Sequence, residues 1–433
     1  MDRDLVALLG FVGMFGLMAL RVPIGVAMGI AGVGGFAALT GLQPGLNLLA
    51  NVPLSVLTDY NLSVIPMFIL MGAFASQSGM SNELFTAGRA WLGHRRGGLA
   101  LASIAACGGF SAINGSSVAT AATMTQVALP EMRRAGYNPG FSAGLIAAGG
   151  TLGIMIPPSV IMVLYGIMTE TDITKLFAAG IIPGLMAIAF YCVVVAIVAR
   201  LRPEAMPRGE HHSWAERFAS LRALWAVVVL FMFVLGGIYG GLFTVQEAAG
   251  VGAMGTLAIG MLRRRLGWPQ IKGALIGALR VSSSIMLIVV GAYLFGYFLT
   301  ITQFTQNAVD FLVHLPVGPY GVLALIMVGY LILGAVMDEL AMILLTVPIV
   351  FPAMMQLGFD PVWFGVIVVM AVTFGMICPP VGMNVFVINS IARDVPLGSI
   401  YKGTMPFIAV DVVRLVILCA FPAISLWLPG FVQ

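Results

Sequence analysis

Residues 147–159 read AAGGTLGIMIPPS and residues 370–384 read MAVTFGMICPPVGMN, each with a Pro-Pro pair inside a long apolar run. The two stretches lie 222 residues apart and belong to a longer repeat: residues 130–172 slide onto 352–394 without a gap, with ten of 43 positions identical. Pro130 falls on Pro352, Met132 on Met354, Gly136 on Gly358, Pro139 on Pro361, Thr151 on Thr373, Gly153 on Gly375, Pro157 and Pro158 on Pro379 and Pro380, Val163 on Val385, and Asp172 on Asp394. An apolar composition inflates chance matches, but it does not put prolines, glycines and aspartates in register. Proline has no amide proton, so each pair strands carbonyls one turn upstream. Matched Gly/Pro breaks in two half-chains are the sequence signature of a secondary transporter, where unwound backbone in mid-membrane faces an ion or a substrate.

The rest of the chain fits that reading. Of 433 residues, 60% are hydrophobic and 9% charged, and the mean hydropathy is +1.04. Such a chain is a polytopic membrane protein, and helices are the elements that satisfy their own backbone in lipid. The alternating segments of a β-barrel are absent. The distribution of the net charge of +4 reads as membrane orientation, not as a nucleic-acid footprint. Cys107, Cys192, Cys378 and Cys419 are widely spaced in apolar runs and read as small core residues. His94, His211, His212 and His314 fall in loops, which leaves no ligand cluster in the membrane. The acids around Arg3 and the lack of a cleavage signal predict a retained first helix. No GxxxxGK[ST] loop, no Gly-Lys dipeptide and no HExxH occurs, so the sequence supports neither a nucleotide motor nor an enzyme, and no organic cofactor.

A coarse pass predicts membrane segments near 5–20, 22–41, 62–80, 97–130, 139–168, 173–199, 219–241, 245–262, 274–300, 318–356, 361–392 and 404–429. The polar stretch 201–218 divides the chain into repeats at 1–200 and 219–433. The segments 97–130 and 318–356 are too long for one crossing and are interrupted at 111–117 and 334–339, which predicts two re-entrant hairpins. Arg89, Arg95, Arg96, Arg133 and Arg134 flank the first and place its ends in the cytoplasm, whereas only Asp310 and Asp360 lie near the ends of the second. The halves then enter the bilayer from opposite faces, both termini fall outside, and the hairpins meet near the midplane. The predicted class is an all-α polytopic protein of inverted repeats, each with a re-entrant hairpin and a broken helix, at 139–168 and 361–392.

The turn from Ser111 through Asn114, Gly115, Ser116 and Ser117 can present hydroxyl and carbonyl oxygens to a hard cation such as Na⁺. The alternative is close helix packing by small residues. Under the same offset Ser116 falls on Asp338, which Glu339 follows. A carboxylate at the bilayer centre costs about 2.5–3.5 kcal/mol and asks for a cation, or for an ion-pair partner in another helix. Ser159 and Asn384 stand just past the breaks, within reach of a substrate. Asp411 and Arg414 share one helix face and can neutralise each other, and Glu247 reads as a first-turn acid after Thr244.

At GFSAINGSSVATAATM (109–124) and GGTLGIMIPPSVIMVLYG (149–166) the sequence resembles the large membrane subunit of tripartite ATP-independent periplasmic (TRAP) transporters. The likeness continues through GMICPPVGMNVFV (375–387) and PFIAVDVVRLVILCAFPAISLWLP (406–429). It departs where the family commonly has Thr-Pro-Thr-Glu-Ala-Ala and this chain has Thr244, Val245, Gln246, Glu247, Ala248 and Ala249. The resemblance implies an elevator-type transporter in a bacterial inner membrane, with a fixed scaffold and a moving domain. It also implies a small four-helix membrane partner and a periplasmic substrate-binding protein. Its first sodium site falls on Ser111, Asn114, Gly115 and Ser116 with carbonyls around Gly149, Gly150, Gly153 and Met155. The second falls on Gly334 to Asp338 with Ala371, Thr373, Gly375 and Met376. Substrates of the family are organic acids such as C4-dicarboxylates, keto acids and sialic acid, here contacting Ser116, Ser117, Ser159, Asp338 and Asn384. No arginine stands at either hairpin, so the group that reads a carboxylate is not identified. A stand-alone Na⁺/carboxylate symporter is the nearest alternative, and a channel a more distant one.

Overall fold

The computed structural model describes residues 3–209, 211–334 and 337–432, and the described residues form helices joined by short turns. In the first half these are α1 (Arg3–Ala19), α2 (Ile24–Thr40), α3 (Leu42–Leu57), α4 (Val64–Gln77), α5 (Met80–Leu92), α6 (Gly98–Asn114), α7 (Ser117–Arg134), α8 (Pro139–Met155), α9 (Val160–Thr169) and α10 (Ile173–Leu201). The second half holds α11 (Trp214–Ala223), α12 (Trp225–Tyr239), α13 (Val245–Leu262), α14 (Trp268–Ile301), α15 (Phe304–Val313), α16 (Gly318–Gly334), α17 (Glu339–Gln356), α18 (Pro361–Ile377), α19 (Met383–Ile391), α20 (Leu397–Ala420) and α21 (Ala423–Leu426). Among them six spans, one of them α8 and α9 taken together, are long and apolar enough to cross a membrane, or up to eight if two bent pairs each count as one span.

The sequence offset reappears in the coordinates. Adding 222 to α7 gives the bounds of α17, and adding it to α8 gives those of α18. The caps follow: Asn138 accepts from the amide of Phe141, and Asp360 accepts from those of Val362 and Trp363. Both Pro-Pro bonds, 157–158 and 379–380, are cis. In each hairpin a contact ties the first leg to the turn that follows the second leg. The Leu99 amide donates to the Tyr137 hydroxyl at 3.3 Å, and in the second half Tyr320 meets Phe359 edge-on at 5.4 Å.

The repeats run in opposite senses, as α20 reveals. Gly140 and Gly144, at the start of α8, pack on Ser399 and Gly403, at the start of α20. Trp363, at the start of α18, instead donates its indole N–H to the Leu418 carbonyl at the far end of α20, 3.0 Å away. Positions 399 and 418 are roughly 28 Å apart along a helix at 1.5 Å per residue. Helices α8 and α18 therefore enter from opposite ends, and so do their hairpins. The halves also interlock reciprocally: α19 lies on α7 through Asn384 and Ser117, while α9 lies on α17 through Tyr165 and Phe351.

Three features differ from the sequence reading. The segment between the second and third predicted crossings is helix α3, not a loop: it has Pro44 in its first turn and presents Leu42, Leu46, Leu49, Leu54 and Leu57 outward. Its Pro and Asn content masked a helix whose apolar side faces away from the protein. The polar stretch 201–218 contains a short 3₁₀ turn and the start of α11, where Ser213 and Glu216 form a reciprocal capping box. Amphipathic α5 and short α15 precede the two hairpins, in stretches that the sequence reading leaves as connections between its membrane segments. Part of the second hairpin turn, Ala335 and Val336, lies outside the described residues.

Candidate ion and substrate site

Both hairpin tips and the first helix break meet around one cavity of about 850 Å³. Asn114, Gly115 and Ser116 reach it from one end of the molecule and Asp338, Glu339 and Leu340 from the other. Its opposite wall is supplied by α2, α4 and α14. Ser76 and Thr123 also belong to a second, polar hollow of about 620 Å³ walled by Arg89, Gln126, Glu131 and Arg134 at the open end of the first hairpin. A hollow of about 710 Å³ at the open end of the second hairpin, beside Tyr297, Gln306 and Gln356, shares no residue with the central one. The central cavity thus shares wall residues with the hollow at the first hairpin's open end and none with the one at the second's.

The first tip is made by a chain reversal. Helix α6 stops at Gly115, whose φ of +64° suits a residue without a side chain, and α7 restarts at Ser116, whose Oγ accepts from the Ala119 amide at 3.4 Å. Behind it, Gly153 lets α8 press against the hairpin: a Cβ there would stand 2.7 Å from the Ser116 carbonyl oxygen. Ser111 is fully buried, and its Oγ has no hydrogen-bond partner. Gly149, Gly150 and Met155 are buried in α8. Pro157 and Pro158 cannot donate to the carbonyls of Gly153 and Ile154, four residues upstream.

The second tip repeats the plan with a charge. Asp338 occupies Ser116's place as N-cap of α17, and its Oδ2 accepts from the Leu340 amide at 3.3 Å. It forms no ion pair among the described residues, which removes the interhelical salt bridge as its explanation. Glu339 is buried and its Oε2 has no partner, so the neighbouring acids make different contacts. Gly334 and Gly375 touch backbone to backbone: a Cβ on Gly375 would lie 2.5 Å from the Gly334 Cα. Pro379 and Pro380 free the carbonyls of Gly375 and Met376, and Ala371 and Thr373 are buried one turn earlier, the Thr373 hydroxyl donating to the Met370 carbonyl.

Of the remaining residues expected near substrate, Ser117, Ser159 and Asn384 are fully buried behind the cavity wall. Ser159 caps α9, and the Asn384 side-chain amide donates to Ser117 Oγ at 2.7 Å and to the Ala147 carbonyl at 3.0 Å, while its own oxygen has no partner. Buried unpartnered oxygens and freed carbonyls at two places form donor sets of the kind a hard cation takes. No cluster of three or more His, Cys, Asp or Glu side chains suited to a transition metal occurs among the described residues.

Asp411 and Arg414 form a buried ion pair at 3.0 Å. It is extended by Tyr191, whose hydroxyl donates to Asp411 Oδ2 at 2.7 Å and lies 3.3 Å from the Thr151 hydroxyl. Thr244 and Glu247 form a capping box at the start of α13, so the replacement of the family's proline leaves that helix start intact. Arg280 of α14 is the cavity residue that sequence reasoning passed over. Its signal was present: a lone arginine inside the apolar run 274–300.

Residues 11–424 match the family model described as the tripartite ATP-independent periplasmic transporter, DctM component. The chain is 38% identical over 374 residues to the C4-dicarboxylate TRAP transporter large permease protein DctM of Pseudomonas aeruginosa, covering 86% of this chain and 87% of that one. It is 32% identical to the ectoine TRAP transporter large permease protein TeaC of Halomonas elongata, over 96% of this chain and 97% of the relative. It is 33% identical to the isethionate TRAP transporter permease protein DctMQ of Oleidesulfovibrio alaskensis, covering 98% of this chain but 66% of that longer protein. Among solved structures the Alcanivorax borkumensis YdaH transporter shares the fold, with a TM-score of 0.59 at 13% identity over 88% of this chain and 89% of that one.

Proposed function

The chain belongs to the DctM component family of TRAP transporters, and we propose that it is the substrate-translocating subunit of a Na⁺-coupled importer of organic acids. The observation that carries this reading is the convergence of two oxygen-rich hairpin tips, from opposite ends of the molecule, on one cavity. Na⁺ is the coupling ion. Its first seat uses Ser111, Asn114, Gly115 and Ser116 with carbonyls of α8, and its second uses Gly334 and Asp338 with carbonyls of α18. Sodium bound at the tips fixes the hairpins against the broken helices and so completes the surface that an organic acid meets at Ser116 and Asp338. The bundle of hairpins and broken helices then travels as one body past the frame of α2, α4, α13 and α14.

In this reading the protein sits in a bacterial inner membrane with the first hairpin's open end in the cytoplasm, both termini periplasmic, and the cavity facing inward. The charges support it: Arg89, Arg95, Arg96, Arg133 and Arg134 surround that end. A small four-helix membrane subunit and a periplasmic binding protein complete the machine, consistent with the tripartite description of the family and with the longer DctMQ relative. The test is uptake into proteoliposomes containing all components. Uptake should collapse when the sodium gradient is removed, and uptake that continues without sodium rejects the coupling. Uptake that continues without the binding protein favours the stand-alone symporter instead.

A further inference from the structure

We propose that Arg280, on the frame side of the central cavity, is the residue that reads the carboxylate of the transported acid. This rests on the reading above that the cargo is an organic acid. Arg280 is the sole Lys, Arg or His in the cavity wall, whose other residues are apolar, hydroxyl-bearing, amide-bearing (Gln77 and Asn114) or acidic. It forms no hydrogen bond or ion pair with any described residue, Asp338 and Glu339 included. Helix α14 has 34 residues and spans about 51 Å, and Arg280 lies roughly 18 Å in from its start, within reach of hydrocarbon depth. Its side chain is exposed toward the hollow, so its donors are open to an incoming group.

The helix face around it is built to leave room. Gly273, Gly277, Arg280 and Ser284 recur at helical spacing along the cavity side of α14, and side chains added at Gly273 or Gly277 would meet nothing within 4 Å. A planar guanidinium with free donors in an open hollow matches a carboxylate, which it can bind through two parallel hydrogen bonds. The hairpin tips supply the facing wall, so an acid held by Arg280 is placed against Ser116 and Asp338. The frame thus contributes to recognition as well as the moving bundle.

The test is sodium-driven uptake by the complete reconstituted transporter, using labelled succinate, ectoine and N-acetylneuraminate as probes and continuing with those the unmodified protein takes up. Arg280→Gln should lower the initial rate about tenfold to a hundredfold, the size of a lost charge-assisted hydrogen bond. Arg280→Lys should retain more activity, and the sodium concentration for half-maximal uptake should stay unchanged in both. Arg280→Cys should be inactive and regain uptake after 2-aminoethyl methanethiosulfonate, which restores a cation, but not after the 2-sulfonatoethyl reagent; unmodified protein is treated in parallel. Full activity of Arg280→Gln, or equal rescue by both reagents, overturns the assignment. Sodium-independent uptake by the unmodified protein rejects the coupling alone and leaves Arg280 to be judged by its variants. Uptake of none of the three acids overturns both.

Discussion

Ser116 and Asp338 occupy the same position in the two repeats, each the N-cap of its hairpin's second helix and each on the wall of the shared cavity. The structural duty, holding the first turn of a helix, is common to both. The charge is present on one side only, so the two proposed sodium seats differ chemically although their backbones are related by a constant offset.

Asp338→Asn keeps a good N-cap and removes the charge, whereas Asp338→Ala removes both. We expect both to abolish sodium-driven uptake. Only the alanine variant should also lose stability, by about 1 kcal/mol, seen as a lower Tm of the purified protein. Uptake by the asparagine variant at the normal rate would separate Asp338 from ion binding.

Gly375→Ala forces a methyl group onto the Gly334 backbone, and no flexible side chain is there to yield. A destabilisation of about 1–3 kcal/mol is expected, as for overpacking in a close-fitted core. Gly13→Ala on α1 is the control, because nothing stands within 4 Å and a helical alanine should gain about 0.5–1 kcal/mol. Thermal unfolding of both variants in the same detergent decides the point.

Arg414→Met leaves the Asp411 carboxylate buried without its cation, and the expected loss is about 3–5 kcal/mol. Adding Asp411→Leu should recover much of it, since removing both charges also removes their desolvation cost. Tyr191→Phe deletes one buried hydrogen bond to a charged group, so a loss of about 1.5–3 kcal/mol is expected.

His94 lies in the turn between α5 and α6, with Arg217 Nη2 3.5 Å from its Nδ1 and the His211 ring 5.1 Å away. Desolvation first, and then the charges of Arg217, His211 and Arg95, hold its imidazole below the ordinary value of 6.5. The fold therefore prefers the neutral ring. That preference contributes fully above pH 6.5 and is lost as pH falls from there through the lowered value. Tm measured from pH 8 to 5.5 should decline, and the decline should be smaller in His94→Gln.

Much of this architecture was legible because prolines and glycines mark backbone events directly. The offset of 222 places α8 on α18 and Ser116 on Asp338 from the sequence, and the Asp411–Arg414 pair follows from helical spacing. Less legible was whatever depends on which way an apolar surface faces. Helix α3 looks like a loop until its leucines are seen to point outward, and Ser117, Ser159 and Asn384, though polar and beside the breaks, are turned into packing instead of toward the cavity. Arg280 was missed for the same reason, since its partner wall comes from elements more than 50 residues away in sequence.

The two reversals and two breaks have one more consequence. Helices α6, α8, α16 and α18 end at these interruptions, and α7, α9, α17 and α19 begin there. Each terminus carries about half an elementary charge, negative where a helix ends and positive where it begins, so the eight termini sum to nothing while producing strong local fields of both signs. Apart from Asp338 and Glu339 beside the second tip, the backbone there has no net preference for a lone ion of either sign. It favours a salt, in which cation and anion arrive together and each screens the other on the way through the lipid.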